Sequence, residues 1–195
     1  EWGRLAYLCG RQLRDFDAAA PVDGIALSPD GKRVAAAAWG REALIWALAG
    51  AQPVVRLSYG SQFVHGVAFS PDGRQLAVCG GDPQGYVQLF DVTTGAITRT
   101  LVGHEDGALG AVYSRDGSKL LTCSYDRTAR LWDVRTGAEL KRFEGHNWWV
   151  WSAQFAPPAA GEPETRIVTA SQDGTALVWD IATGDASPPF RGHDG

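Results

Sequence analysis

A chain of 195 residues with a formal net charge of -4, 45% apolar and 21% charged residues, has the make-up of a globular domain able to bury a core. The acidic balance leaves no dominant basic face of the kind that neutralises phosphates, so nucleic acid is not an expected partner. No apolar run reaches the roughly 18 residues of a membrane span, and no signal peptide opens the sequence. Cys9, Cys79 and Cys123 fit neither a disulfide framework nor a zinc motif, so a reducing, cytoplasmic setting is expected.

The chain has no Met, and Arg outnumbers Lys fifteen to three. It therefore reads as a segment of a longer protein with the residue usage of a GC-rich, bacterial genome.

In chain order, residues 1–16 close with Gly10 to Phe16, a stretch that parallels Gly137 to Phe143 and reads as the last strand of a preceding unit. Four units follow, over 17–58, 59–102, 103–144 and 145–191, and residues 192–195 begin another. Ser28-Pro29-Asp30-Gly31 returns as Ser70-Pro71-Asp72-Gly73 and, altered, as Ser114-Arg115-Asp116-Gly117, at offsets of 42 and 44. An aromatic usually followed by Asp recurs at Trp46, Phe90, Trp132 and Trp179, and Gly-His stands at 103–104, 145–146 and 192–193. Three markers share one period.

Between the markers apolar residues alternate, as half-buried strands require. Val67 and Phe69, Ala111 and Tyr113, and Ala153 and Phe155 mark one face of a first strand. Val87 and Leu89, and Ala129 and Leu131, mark a third strand. Pro-Asp-Gly and Thr-Gly steps supply the turns. Each unit reads as four short antiparallel strands, with no helix.

A unit of 42 to 47 residues with Gly-His near its start and Trp-Asp near its end resembles the WD40 repeat family. The resemblance implies an all-β fold of β-propeller blades, part of a ring of seven or eight. Four blades are too few for such a ring. Additional blades or self-association of two chains would have to close it.

The resemblance also places a structural tetrad in each of the last two units. His104, Thr122 or Ser124, Asp126 and Trp132 form one, and His146, Thr169 or Ser171, Asp173 and Trp179 the other. These sets mimic catalytic triads, but they recur in each well-formed blade and lack an exposed hydroxyl beside an oxyanion site, so no catalytic residue is expected. The first two units cannot build the tetrad. Asp17-Ala18 and Gly60-Ser61 replace Gly-His, Phe90 replaces Trp, and Asp82 to Gly85 and Trp39 to Glu42 replace the Asp turn. Both blades are expected to exchange amide hydrogens earlier than blades three and four.

Other candidates carry little. His65, His104, His146 and His193 lie at least 39 residues apart, without metal-ligand spacing, and Gly80-Gly81 lacks the context of a phosphate loop. No metal and no cofactor is expected. Cys79 and Cys123 share a repeat position with Ala37 and Ala170, which asks only for a small buried residue. In blade three Arg127, Arg130, Arg135, Lys141 and Arg142 interleave with acids, as on a salt-bridged outer face. The long 156–165 loop reads as a tolerated insertion.

In the family, ligands dock on the top rim. Three positions per blade point there: the residues four and six before the first-strand aromatic, and the residue before the turn Asp. They give Phe63 and His65, Gly107 and Leu109 with Tyr125, and Trp149 and Trp151 with Gln172. Blade one offers Pro21, Asp23 and Trp39. Most are aromatic or apolar, the composition of an interaction surface. Strict alternation in 148–151 sends Trp149 and Trp151 to one side and Trp148 to the other.

The expected function is a non-catalytic protein-protein interaction module, binding a protein or peptide at this rim. Its expected setting is a scaffold or sensor within a larger intracellular, bacterial signalling protein. A structural subunit of a stable complex is the alternative, and an enzyme using a propeller pocket the remote one.

Overall fold

The structure, a computed structural model, describes residues 16–39, 41–50, 53–60, 63–81, 83–158 and 162–192. Cys9, Gly40, Ser61, Asp82, His193, most of the strand expected over 1–16 and the middle of the 156–165 loop lie outside them.

The described residues form sixteen strands and no helix. The first sheet holds β1 (Val22–Leu27), β2 (Arg33–Ala38), β3 (Glu42–Ala47) and β4 (Pro53–Ser58). The second holds β5 (Val64–Phe69), β6 (Gln75–Gly80), β7 (Tyr86–Asp91) and β8 (Ile97–Val102). The third holds β9 (Ala108–Tyr113), β10 (Lys119–Ser124), β11 (Thr128–Asp133) and β12 (Glu139–Glu144). The fourth holds β13 (Val150–Phe155), β14 (Arg166–Ser171), β15 (Thr175–Asp180) and the short β16 (Phe190–Arg191). Each sheet is an antiparallel meander in chain order, and β1, β5, β9 and β13 lie side by side.

The repeated turn residues have a physical reason. Ser70 Oγ donates to Asp72 Oδ1 at 2.6 Å and accepts from the Gln75 amide at 2.9 Å, closing the β5–β6 turn. The same bonds recur at Ser28 and Asp30 and at Ser114 and Asp116. Hydrogen bonds from Ser114 and Ser118 outweigh the small effect of burial and draw the Asp116 carboxyl down to about 2. Arg115 can replace the proline, and its amide donates to Glu164 Oε1 of the long loop at 3.1 Å.

Because both faces of the second and third sheets meet a neighbouring sheet, alternation there sorts residues between two interfaces rather than between core and water. Ala35, Ile45 and Leu57 pack on Val67, Phe69 and Leu76. Cys79, Leu89 and Leu101 pack on Tyr113, Leu120 and Trp132. Leu121, Leu131 and Phe143 pack on Ile167, Leu177 and Trp179. Burial pushes the Cys79 thiol up, and the Cys123 thiol up to about 12, so both act as small apolar fillers.

The two end sheets each present a face on which no further sheet of the described residues is docked. Ile25 is 73% exposed, whereas its counterpart Val67 is 8% exposed against the preceding sheet. Phe190 is 59% exposed and its counterpart Phe143 only 1%.

Candidate functional site

The Gly-His steps enter the third and fourth sheets beside their buried tryptophans. A Cβ on Gly103 would stand 2.9 Å from the Trp132 ring and 2.8 Å from the Arg130 guanidinium, which is why glycine precedes the histidine. His104 Nδ1 lies 2.8 Å from Asp126 Oδ2 and its Nε2 lies 2.7 Å from Thr122 Oγ1, which accepts from Trp132 Nε1 at 2.9 Å. A carboxylate only accepts, so Nδ1 carries the proton and Nε2 accepts from the Thr122 hydroxyl. The chain of donors runs from indole to hydroxyl to imidazole, and from imidazole to carboxylate. His146, Asp173, Thr169 and Trp179 repeat it at 3.0, 2.7 and 2.8 Å.

Thr122 and Thr169 are therefore the tetrad hydroxyls, and Ser124 and Ser171 are not. Ser124 Oγ donates to the Asp106 carbonyl and accepts from the Asp126 amide, and Ser171 likewise ties the Trp148 carbonyl to the Asp173 amide. The Thr122 hydroxyl is fully buried and engaged, so this set offers substrate no accessible nucleophile. Arg130 overturns the outer-face reading: it is buried, reaching Asp126 at 3.3 Å and Glu139 at 2.7 Å.

Acid should weaken these locks. Burial holds the His104 imidazole below its ordinary range, against the pull of Asp126. The unfolded chain thus takes up a proton near pH 6.5 that the folded chain refuses, and the His104 contribution fades as pH falls below about 6.5. Burial alone would raise Asp173, but bonds from the Thr175 hydroxyl, the Asn147 amide and His146 outweigh it and bring the carboxyl down to about 2. That contribution is whole above about pH 4 and is lost on the way to about pH 2. The urea midpoint should decline in two stages on acidification, the first of them shallower in His104→Asn. A midpoint flat from pH 7 to pH 5 would contradict this.

The first two sheets solve the same position differently. In blade one Trp46 keeps its indole, but Ala36 stands where Thr122 stands in blade three, and the buried Trp46 Nε1 has no hydrogen-bond partner among the described residues. In blade two Val78 and Phe90 replace hydroxyl and indole together. There Tyr59 is buried, stacks on Tyr86 at 4.8 Å and donates to the Tyr86 carbonyl. This tyrosine lock, which the repeat comparison missed, separates blade two from blade one. Ala36→Thr should supply the missing acceptor and stabilise the chain by about 1 kcal/mol in urea unfolding. Amide exchange should be fastest in blade one and intermediate in blade two; equal protection of all four blades would refute this ordering.

The rim above the locks is shaped by a shared irregularity. The ladder between the first two strands of each blade skips one residue: Asp23, His65, Leu109 and Trp151 are the extra residues of four equivalent β-bulges. A bulge leaves its residue unpaired and re-aims the side chain. The inner strands also crowd together there, since a Cβ on Gly24 or Gly66 would fall 2.7 or 2.6 Å from the next strand's carbonyl oxygen.

Backbone bonds pair the other two rim positions of each blade. The amides of Trp39, Gly81, Tyr125 and Gln172 donate to the carbonyls of Pro21, Phe63, Gly107 and Trp149. This places Trp39 in register and makes Gly81 the blade-two turn residue, a position its altered turn concealed.

The bulges and turns together bring rings from all four sheets into one row. Trp39 meets Phe63 at 6.0 Å between centroids, Phe63 meets His65 at 6.2 Å, and His65 meets Tyr125 at 5.6 Å. Tyr125 meets Trp149 at 4.6 Å and Trp151 at 5.9 Å, and the two tryptophans lie 5.8 Å apart. His65 Nδ1 lies 3.1 Å from Asp23 Oδ2.

A depression of about 380 Å³ opens between Trp39, Phe63, His65, Tyr125 and Trp149, with Gly81 and Asp106 completing its lining. Leu109 instead packs on the apolar contact between the third and fourth sheets, and Gln172 lies exposed outside the depression. Trp148 is not cleanly on the opposite side, because Trp149 precedes β13 and Trp148 lies 6.1 Å from its ring.

Four-stranded sheets arranged side by side, with repeated His-Thr-Trp-Asp locks, define β-propeller blades. The WD40 model (WD domain, G-beta repeat) matches residues 52–91, 95–133 and 137–180, more than half of the chain, and the chain belongs to that family. Each match takes the outer strand of one blade and the three inner strands of the next. Human WD repeat and SOCS box-containing protein 1 is 29% identical over 119 residues, covering 60% of this chain and 28% of that protein. Drosophila melanogaster protein groucho is 30% identical over 125 residues, covering 63% of this chain and 17% of its own length. Nuclear distribution protein PAC1 of Komagataella phaffii is 34% identical over 79 residues, covering 38% and 16%. The chain thus spans under a third of these relatives. WD40 repeat proteins are generally non-catalytic modules that bind protein partners.

Proposed function

We propose that the chain is the interaction surface of a scaffold or sensor in an intracellular signalling protein, and that it binds a protein or peptide across its aromatic rim. The observation that carries this reading is the continuous row from Trp39 to Trp151, which holds large rings on the surface of a protein with ample core in which to bury them. Trp and Tyr bury much area at small entropic cost, and such rows form binding hot spots. The name of the human relative joins WD repeats to a second module, the arrangement proposed here.

Peptides selected on the full chain from a random display library would test it. Trp149→Ala and Trp151→Ala should each weaken the selected peptides by at least about 2 kcal/mol, roughly thirtyfold. Unchanged binding by both variants would end the rim proposal.

The exposed Ile25 and Phe190 faces favour a second role, docking of further blades or of a second copy, as in a stable assembly. A mass in solution that depends on concentration, and that Phe190→Glu makes independent of it, would support this role.

A further inference from the structure

We infer that the rim depression receives a side-chain cation, and that the rim's partner presents an arginine there. This rests on the rim being the binding surface. Among the described residues, the lining of the depression holds five ring side chains and one acidic residue, Asp106, and no Lys or Arg. Asp106 is part of the lining, and its Oδ1 accepts from the Gly107 amide at 2.7 Å, which restricts the carboxylate beside the rings.

Close backbone packing demands glycine beside the depression. Gly81 and Gly107 approach so closely that a Cβ on Gly107 would lie 2.6 Å from the Gly81 carbonyl oxygen and 3.1 Å from the Tyr125 ring. A volume of about 380 Å³ lies near the lower end for ligand sites, enough for the end of a long side chain.

Charge and shape then select the occupant. Ring faces carry negative potential and attract cations, and a nearby carboxylate adds to that attraction. A planar guanidinium can stack on Tyr125 or Trp149 while donating from its edge to Asp106, and it is more weakly hydrated than an ammonium, which has no plane to stack. An aliphatic side chain would fill the space but leave the carboxylate without a counter-charge.

The test uses display-selected peptides whose binding to the full chain is lost in Tyr125→Ala. These should be enriched in arginine, and replacing that arginine by citrulline, its neutral isostere, should cost at least about tenfold in affinity. Lysine should bind between the two. Asp106→Asn should lose a similar factor for the arginine peptide but little for the citrulline peptide, with an unchanged urea midpoint. Rim-dependent peptides that lack a required arginine, or that tolerate citrulline, would overturn the cation assignment and leave the rim reading intact. Absence of any rim-dependent peptide would overturn both.

Discussion

Asp126→Ala should destabilise the chain by about 3–5 kcal/mol, the range for removing one partner from a buried ionic network. Asp126 accepts from His104 Nδ1, the Glu105 amide, the Thr128 amide and hydroxyl, and Arg130, all within 2.6 to 3.3 Å. Burial would raise its carboxyl, but the hydrogen bond from His104, with the Thr128 and Glu105 bonds, holds it far below the ordinary carboxylate range. Truncation leaves those donors inside a site where the Asp126 side chain is only 4% exposed. Arg130 keeps Glu139, so the arginine is not wholly abandoned.

Asp173→Ala is the matched comparison. Its site is more open, and Leu177 stands where blade three has Arg130, so about 2 kcal/mol is expected from lost hydrogen bonds alone. Urea unfolding of the two variants side by side decides the matter. Equal losses would mean that Arg130 adds nothing to the blade-three lock.

That comparison also shows what the sequence could and could not reveal. The blades were legible because turn chemistry repeats: Ser-x-Asp-Gly closes three equivalent turns with the same bonds, and Gly-His and Trp-Asp mark the two ends of one network. The rim positions were legible for a reason that the spacing did not state. Counting four residues back from the first-strand aromatic lands on the bulge residue, as at His65 and Trp151, and the bulge turns that side chain outward.

Arg130 escaped because a charge on a strand reads as solvent-facing, whereas a propeller sheet has a neighbour on each face. Tyr59 escaped because it replaces the tetrad from a different position, one that compared repeats do not align with histidine. Gly81 and Asp106 escaped because a glycine beside an altered turn and an acid in a loop carry no signal that the fold brings them together beside the rings.

Tyr125→Ala should have the largest effect on binding, about 2–4 kcal/mol or some 30-fold to 1000-fold, measured on a rim-selected peptide. Its ring is the junction of the row, contacting His65 on one side and both Trp149 and Trp151 on the other. Its amide is fixed to the Gly107 carbonyl at 3.0 Å, and the next residue is the anchored Asp126. The ring is thus held in place before a partner arrives, which lowers the entropy lost on binding. Removing it deletes its own contact area and also frees Trp149 and Trp151 to leave their bound positions. Tyr125→Ala and Trp149→Ala should therefore be coupled, with the double variant losing less than the two single losses combined by about 1 kcal/mol or more. Gln172→Ala, outside the depression, should change affinity by less than about threefold. Additive losses at Tyr125 and Trp149 would mean that the rings act as separate contacts, and that a partner reads them one at a time rather than as a single preformed surface.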